Sequence, residues 1–151
     1  MRQLLPCGYI AGRAMKNKCY SELSKILDYE ERFEYLKIGG AVGVATFGGN
    51  RWLNQLFYHD DAWKSVCRKI KIRDNFCDMG HPDYELKSRI LVHHIDPITK
   101  EDILNRSDKL FDPENLITVS FLTHQAIHYG DFDLLPKGPA ERSPFDTCPW
   151  R

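Results

Sequence analysis

The sequence predicts an α+β chain, helical in its first half and closed by a strand, a long loop, a second strand and a helix. Three observations carry this. Apolar residues recur at three-to-four spacing over residues 20–37 and 62–73. Two β-favouring runs, residues 87–95 and 116–121, are separated by turn-forming text that includes Asp112-Pro113. A last helical segment over residues 122–129 is stopped by Gly130. At 151 residues there is room for one domain with a core, and 42% hydrophobic against 28% charged residues is the balance of a globular chain.

Taken in order, the chain opens on Leu4-Leu5, interrupted by Pro6, an apolar run too short for a signal peptide. No stretch reaches the roughly 20 apolar residues of a membrane span, so no membrane partner is expected. The five cysteines (Cys7, Cys19, Cys67, Cys77, Cys148) are odd in number and lack framework spacing, which points to reduced thiols and a cytoplasmic location. Over residues 20–37, Ser21 is a candidate cap and Leu23, Ile26, Leu27, Phe33 and Leu36 form the stripe. Acids outnumber bases there, so this helix reads as scaffold. The glycines of residues 39–49 lack the Gly-Lys-Ser/Thr ending of a phosphate loop and the dinucleotide-binding spacing, and read as a turn or hinge.

Residues 51–58 predict a short aromatic helix. Asp60 or Asp61 then caps a helix over residues 62–73 with an apolar stripe of Trp63, Val66, Cys67 and Ile70. On that helix Lys64, Arg68 and Lys71 fall at i, i+4 and i+7, with Lys69 and Arg73 beside them. Such a stripe is either a solvated face or a phosphate-contacting one. Lys and Arg total 21, as do Asp and Glu, so the charge argues against non-specific coating of nucleic acid but leaves room for a local basic face. Cys77 and His81 lie in a turn-rich loop with no second cysteine pair to complete a zinc site, and His81, like His59, reads as a surface residue. Thr99 to Asp102 is a capping box for a helix ending near Asn105. Four prolines after Gly130 leave an irregular tail, in which Leu134, Leu135, Phe145 and Trp150 are expected to pack back on the body.

The chemistry lies in the histidines. His124 and His128 are four apart on a predicted helix and therefore share a face one turn apart, as two imidazoles closing on one ion require. A hairpin packed on that helix brings the end of the first strand alongside, where His93 can supply a third nitrogen. Three histidines with open positions suit a catalytic site, and imidazole favours zinc, nickel, cobalt or manganese over magnesium. Neighbours in a strand point to opposite faces, so His94 does not share the ion. With an ordinary pKa near 6.5 it suits a general base at neutral pH.

The set His93-His94, Asn115, His124 and His128 resembles the HNH nucleases, in the His-His and His-x-x-x-His version most like the colicin DNases. Similarity to phage and prophage HNH proteins extends through Tyr35-Leu36-Lys37, Thr46-Phe47-Gly48, Leu53-Asn54-Gln55, Trp63-Lys64, Arg73-Asp74-Asn75 and Cys77-Asp78. It continues at Asp102-Ile103, Asn115-Leu116-Ile117 and Ala126 to Asp131, and ends at Asp146-Thr147-Cys148-Pro149-Trp150. The resemblance implies a ββα-metal (HNH, or His-Me finger) core with added N-terminal helices and an irregular C-terminal tail. It divides one compact domain into a scaffold over residues 1–60, a nuclease core with its preceding basic helix over 61–131, and a packed tail over 132–151. It makes His93, His124 and His128 ligands of one divalent ion (zinc, nickel, manganese or magnesium), His94 the base, and Asn115 the residue that braces the loop. Many members add two Cys-x-x-Cys pairs around a structural zinc; this chain lacks them, so its site is expected to be braced by packing alone.

The implied reaction is metal-dependent hydrolysis of a DNA phosphodiester by a phage-encoded enzyme. DNA is the expected partner, with other phage proteins as further candidates. Lys64, Arg68 and Lys71 would hold the phosphate backbone, with Arg89, Arg106 and Lys109 as secondary contacts. The alternative is a catalytically silent DNA-binding or phage-assembly protein that keeps the metal finger as a fold.

Overall fold

Strands β1 (Ile90–His94) and β2 (Leu116–Ser120) pair antiparallel, with Ile90 opposite Ser120 and His94 opposite Leu116. They organise the computed structural model, which describes residues 18–38, 51–81 and 89–135. Around them lie helices α1 (Tyr20–Leu23), α2 (Tyr29–Leu36), α3 (Arg51–His59), α4 (Asp61–Arg73), α5 (Lys100–Leu104) and α6 (Phe121–Tyr129). The architecture is α+β. No helix among the described residues is long and apolar enough to cross a membrane.

Alternation along the strands sorts their side chains onto two faces. Ile117 and Val119 join Leu23, Leu36, Ile95 and Ile127 in a core on one face. Leu116 joins Phe57, Trp63, Ile70 and Leu110 in a second core on the other. Each of these buried aliphatic side chains contributes on the order of 1.5–3 kcal/mol relative to exposure. The hairpin is thus held between α1, α2 and α6 on one side and α3 and α4 on the other.

Helix α6 begins directly after β2. The Ser120 side chain caps it by accepting from Thr123 N, and Gly130 ends it at φ 66°, the left-handed conformation that a glycine adopts without strain. Helix α4 is capped by Asp60, whose carboxylate accepts from Ala62 N, and it buries Trp63 and Ile70, two turns apart on one face. Thr99 and Asp102 form the reciprocal capping box of α5.

Three expectations are corrected. The helix expected over residues 20–37 is two helices, broken at residues 24–28. Asp28 caps the second by accepting from the N–H groups of Glu30 and Glu31, and the Arg32 guanidinium donates to Ile26 O at 2.6 Å. The break turns Leu27 outward, 87% exposed, and Ser21 is not the cap: its N–H donates to the Glu114 carboxylate instead. The strand expected from residue 87 begins at Ile90, after Arg89 at φ 52°; residues 87 and 88 lie outside the described chain.

Nor is the hairpin braced by packing alone. The outer edge of β2 is met by the loop that follows α4. The buried Asp74 carboxylate accepts from Thr118 N at 2.8 Å, Met79 N donates to Thr118 O at 2.8 Å, and the buried Asp78 carboxylate accepts from Ser120 N at 3.1 Å. Arg73 neutralises Asp74 at 2.7 Å and donates onward to Leu116 O and Pro113 O. Arg73 therefore serves the fold rather than the basic stripe. Buried carboxylates of this kind are tolerated because every one of these donors is fixed by the fold. Leu135 packs with Phe33 and Ala126, so the start of the tail does turn back onto the body. The glycine-rich residues 39–49, and Phe145 and Trp150 of the tail, lie outside the described residues.

Candidate metal centre and its surroundings

His93 leaves β1 on the face that packs against α6, and there it meets His124 and His128. The ligating nitrogens of the three lie within 4.8 Å of one another. His124 Nε2 and His128 Nε2 are 3.1 Å apart, and the His93 ring stands nearly perpendicular to both, at 88° and 85°. His93 is buried and its Nε2 has no hydrogen-bond partner among the described residues. A buried imidazole nitrogen without a partner is costly in a protein interior unless an ion takes the place of the missing group.

Burial, and after it the neighbouring imidazoles, pushes His93 well below its ordinary pKa. Burial and then His128 push His124 down to about 4, and burial lowers His128 as well. All three are neutral at neutral pH, with lone pairs available for coordination. Tetrahedral coordination at about 2.0–2.1 Å puts ligand nitrogens about 3.3 Å apart, close to the His124–His128 spacing. The donor set fits one borderline divalent ion. No carboxylate or thiol joins the group among the described residues, which leaves positions for water or substrate.

His94 points the opposite way, as strand alternation requires. Its Nε2 lies 3.1 Å from Leu110 O and its ring stacks on Trp63, with centroids 5.1 Å apart and planes 13° apart. A carbonyl only accepts, so Nε2 carries the hydrogen and Nδ1 holds the lone pair. Burial lowers the His94 pKa to about 4, partly offset by the Leu110 carbonyl. The ordinary value near 6.5 is therefore not the one this buried ring takes. The ring is unprotonated throughout the neutral range, and its thermodynamic pull on a proton is weaker. His94 and the three clustered histidines line one cavity of about 790 Å³, which also takes in Trp63, Cys67 and Lys71. Burial pushes the Cys67 thiol up to about 11, which leaves it protonated and a poor ligand.

Asn115, 6% exposed, ties the exit of β1 to the approach to β2. Its Oδ1 accepts from Asp96 N at 2.7 Å, and its Nδ2 donates to Asp96 O and Lys109 O at 3.2 and 3.3 Å. Its own carbonyl accepts from Ile95 N at 2.8 Å. Lys109 precedes Leu110, whose carbonyl holds His94, so Asn115 acts one step removed from His94.

The basic residues separate. Lys71 lines the cavity, and Arg68 is exposed on the same helix. Lys64 is exposed and paired with Asp61 at 3.1 Å. Arg89 lies over the Phe121 ring at the start of α6. Arg106 is bonded to Asp60 at 2.7 Å, and Lys109 to Asp96 at 2.8 Å and to Pro97 O. These last two stitch loops together. Cys77 and His81 lie in the loop beyond α4, where the His81 ring is 5.4 Å from Tyr29.

Sequence reasoning missed Asp78. Besides Ser120 N, its carboxylate accepts from the Thr123 hydroxyl and from Gly80 N, which fixes the first turn of α6 immediately before His124. A side chain at Gly80 would collide with Thr123 Cγ2. An Asp two residues before a Gly, in text otherwise built of turn formers, was the available signal. Compared with protein-family models, with curated proteins and with solved structures, the chain finds no match in any of the three.

Proposed function

We propose that the chain is a metal-dependent DNA endonuclease of the HNH type, with β1, β2 and α6 as its ββα-metal finger. The observation that carries the reading is one cavity walled by three neutral imidazoles with open coordination and by a fourth with its Nδ1 unoccupied. A bound divalent ion would supply charge neutralisation at the scissile phosphate. His93, His124 and His128 would hold it. His94 Nδ1 takes the proton of the attacking water, a contribution on the order of 10²–10⁴-fold. Lys71 at the cavity and Arg68, exposed on the same helix, hold the phosphate backbone without reading sequence. Asn115 keeps the Leu110 carbonyl in place behind His94.

A silent DNA-binding or phage-assembly protein is the second reading, favoured by the depth of His94, which is only 7% exposed. Supercoiled plasmid incubated with the protein and Mn²⁺, Ni²⁺, Zn²⁺ or Mg²⁺ separates the two. Metal-dependent nicking, abolished by EDTA and by His94→Ala, is expected. Absence of nicking with every ion, or equal nicking by the variant, overturns the nuclease reading.

A further inference from the structure

His94 makes one side-chain hydrogen bond, Nε2 to Leu110 O, and with the ring held at Cβ and at Nε2 its tilt about that line is set by what packs on its faces. The indole of Trp63 stacks on that ring, and Phe57 lies farther off, with centroids 6.3 Å and planes 40° apart. The Trp63 and His94 ring planes lie 13° from parallel, and Trp63 is 5% exposed. Its own position is set by Phe57, 4.8 Å away, which in turn packs on Phe111 beside Leu110. Trp63, Cys67 and Lys71 are four residues apart on α4 and all line the cavity.

We propose that Trp63 is a positioning residue for the cleavage assigned above: its indole fixes the ring plane of His94, so that Nδ1 faces the cavity. This rests on the nuclease reading. A hydrogen bond fixes one atom and a stack fixes a plane, and together they leave one orientation. A helix that approaches phosphate through Lys71 thereby also sets the attitude of the base. Loss of the plane leaves metal and substrate binding in place and costs the chemical step.

The test compares Trp63→Phe, which keeps an aromatic face, with Trp63→Leu. Nicking kinetics, bound metal and a proton–nitrogen correlation spectrum of the His94 ring are the readouts. Trp63→Leu should lower kcat by roughly 10- to 100-fold with KM and bound metal nearly unchanged, and Trp63→Phe should stay within about threefold of wild type. In the wild-type spectrum His94 should show one tautomer, protonated at Nε2, with ring protons displaced upfield by the indole. An undiminished kcat in Trp63→Leu overturns the proposal. So does a wild-type His94 with mixed tautomers or no upfield displacement, and this reading needs no variant to fold. If the wild type fails to cut DNA with any ion, the nuclease reading falls, and the spectrum still decides whether Trp63 holds the ring.

Discussion

Asn115→Ala removes a side chain that makes three hydrogen bonds, one accepted from Asp96 N and two donated to Asp96 O and Lys109 O. Each is worth about 0.5–1.5 kcal/mol net, and the groups left behind are partly shielded from water, so the variant should lose about 2–4 kcal/mol. For a chain of this size that corresponds to a drop in melting temperature on the order of 5–12 °C. Urea unfolding and a thermal melt measure it. The metal should respond differently. His124 and His128 stand on α6, whereas the side-chain hydrogen bonds of Asn115 go to Asp96 and Lys109, so affinity for Zn²⁺ should change by less than about tenfold. Nicking should fall more than metal binding, because the Leu110 carbonyl behind His94 loses its support. A stability loss under about 0.5 kcal/mol would refute the lock between the loop ends. Metal loss as severe as that of a ligand variant would show that Asn115 acts on the ion and not on the loop.

Three more expectations follow from the geometry. His128→Ala should weaken Zn²⁺ binding by more than about 100-fold, beyond the usual effect of a supporting residue; unchanged metal content by elemental analysis would dismantle the three-histidine site. In chelator-treated protein, burial of neutral His94 should make stability acid-sensitive: its folded pKa, about 4, lies below the ordinary 6.5, so the unfolded chain binds the proton first. Stability is then full above 6.5 and is lost as pH falls through about 4, with about 3 kcal/mol of the loss due to His94 and the rest to the depressed histidines of the cluster; urea midpoints that stay flat across this window, or an equally steep fall in His94→Phe, would refute it. Replacing Arg68 and Lys71 together by glutamine should reduce the slope of log affinity for DNA against log salt by roughly 2, whereas Arg106→Gln, already bonded to Asp60, should leave the slope unchanged.

What could be read from the sequence was whatever depends on local period. The pairing of His124 with His128 needs only the helical repeat, and the divergence of His93 from His94 needs only strand alternation. The caps at Asp60, Thr99 and Gly130 are equally local. What failed depends on partners distant in sequence. Asp74 and Asp78 find Thr118 and Ser120 across separations of 44 and 42 residues, and the turn-forming text around Asp78 marks a turn without naming the strand it meets. Leu27 fits the spacing of an apolar stripe, yet the turn capped by Asp28 rotates it into water. Arg106 and Lys109 look like free cations until Asp60 and Asp96 are placed opposite them. The acidity of His94 could not be foreseen because it comes from burial beside Trp63, not from its neighbours in the chain.

The two faces of the hairpin also explain why adjacent histidines can differ so much in environment. On one face His93 joins imidazoles from α6, where a divalent ion could take up its unpartnered nitrogen. On the other, His94 enters an aromatic nest whose floor is Trp63 and whose rim is the Leu110 carbonyl. A register slip of one residue would exchange them, putting His94 toward α6 and His93 against the indole. The register therefore carries the division of labour, and the side chains that hold it are Asp74 and Asp78 on the outer edge of β2 and Asn115 at its entry. Asp78 and Ser120 also set the first turn of α6, so the same few polar groups that lock the strand place His124 opposite His93. In this chain the polar brace along β2 and the candidate metal centre are two sides of one arrangement.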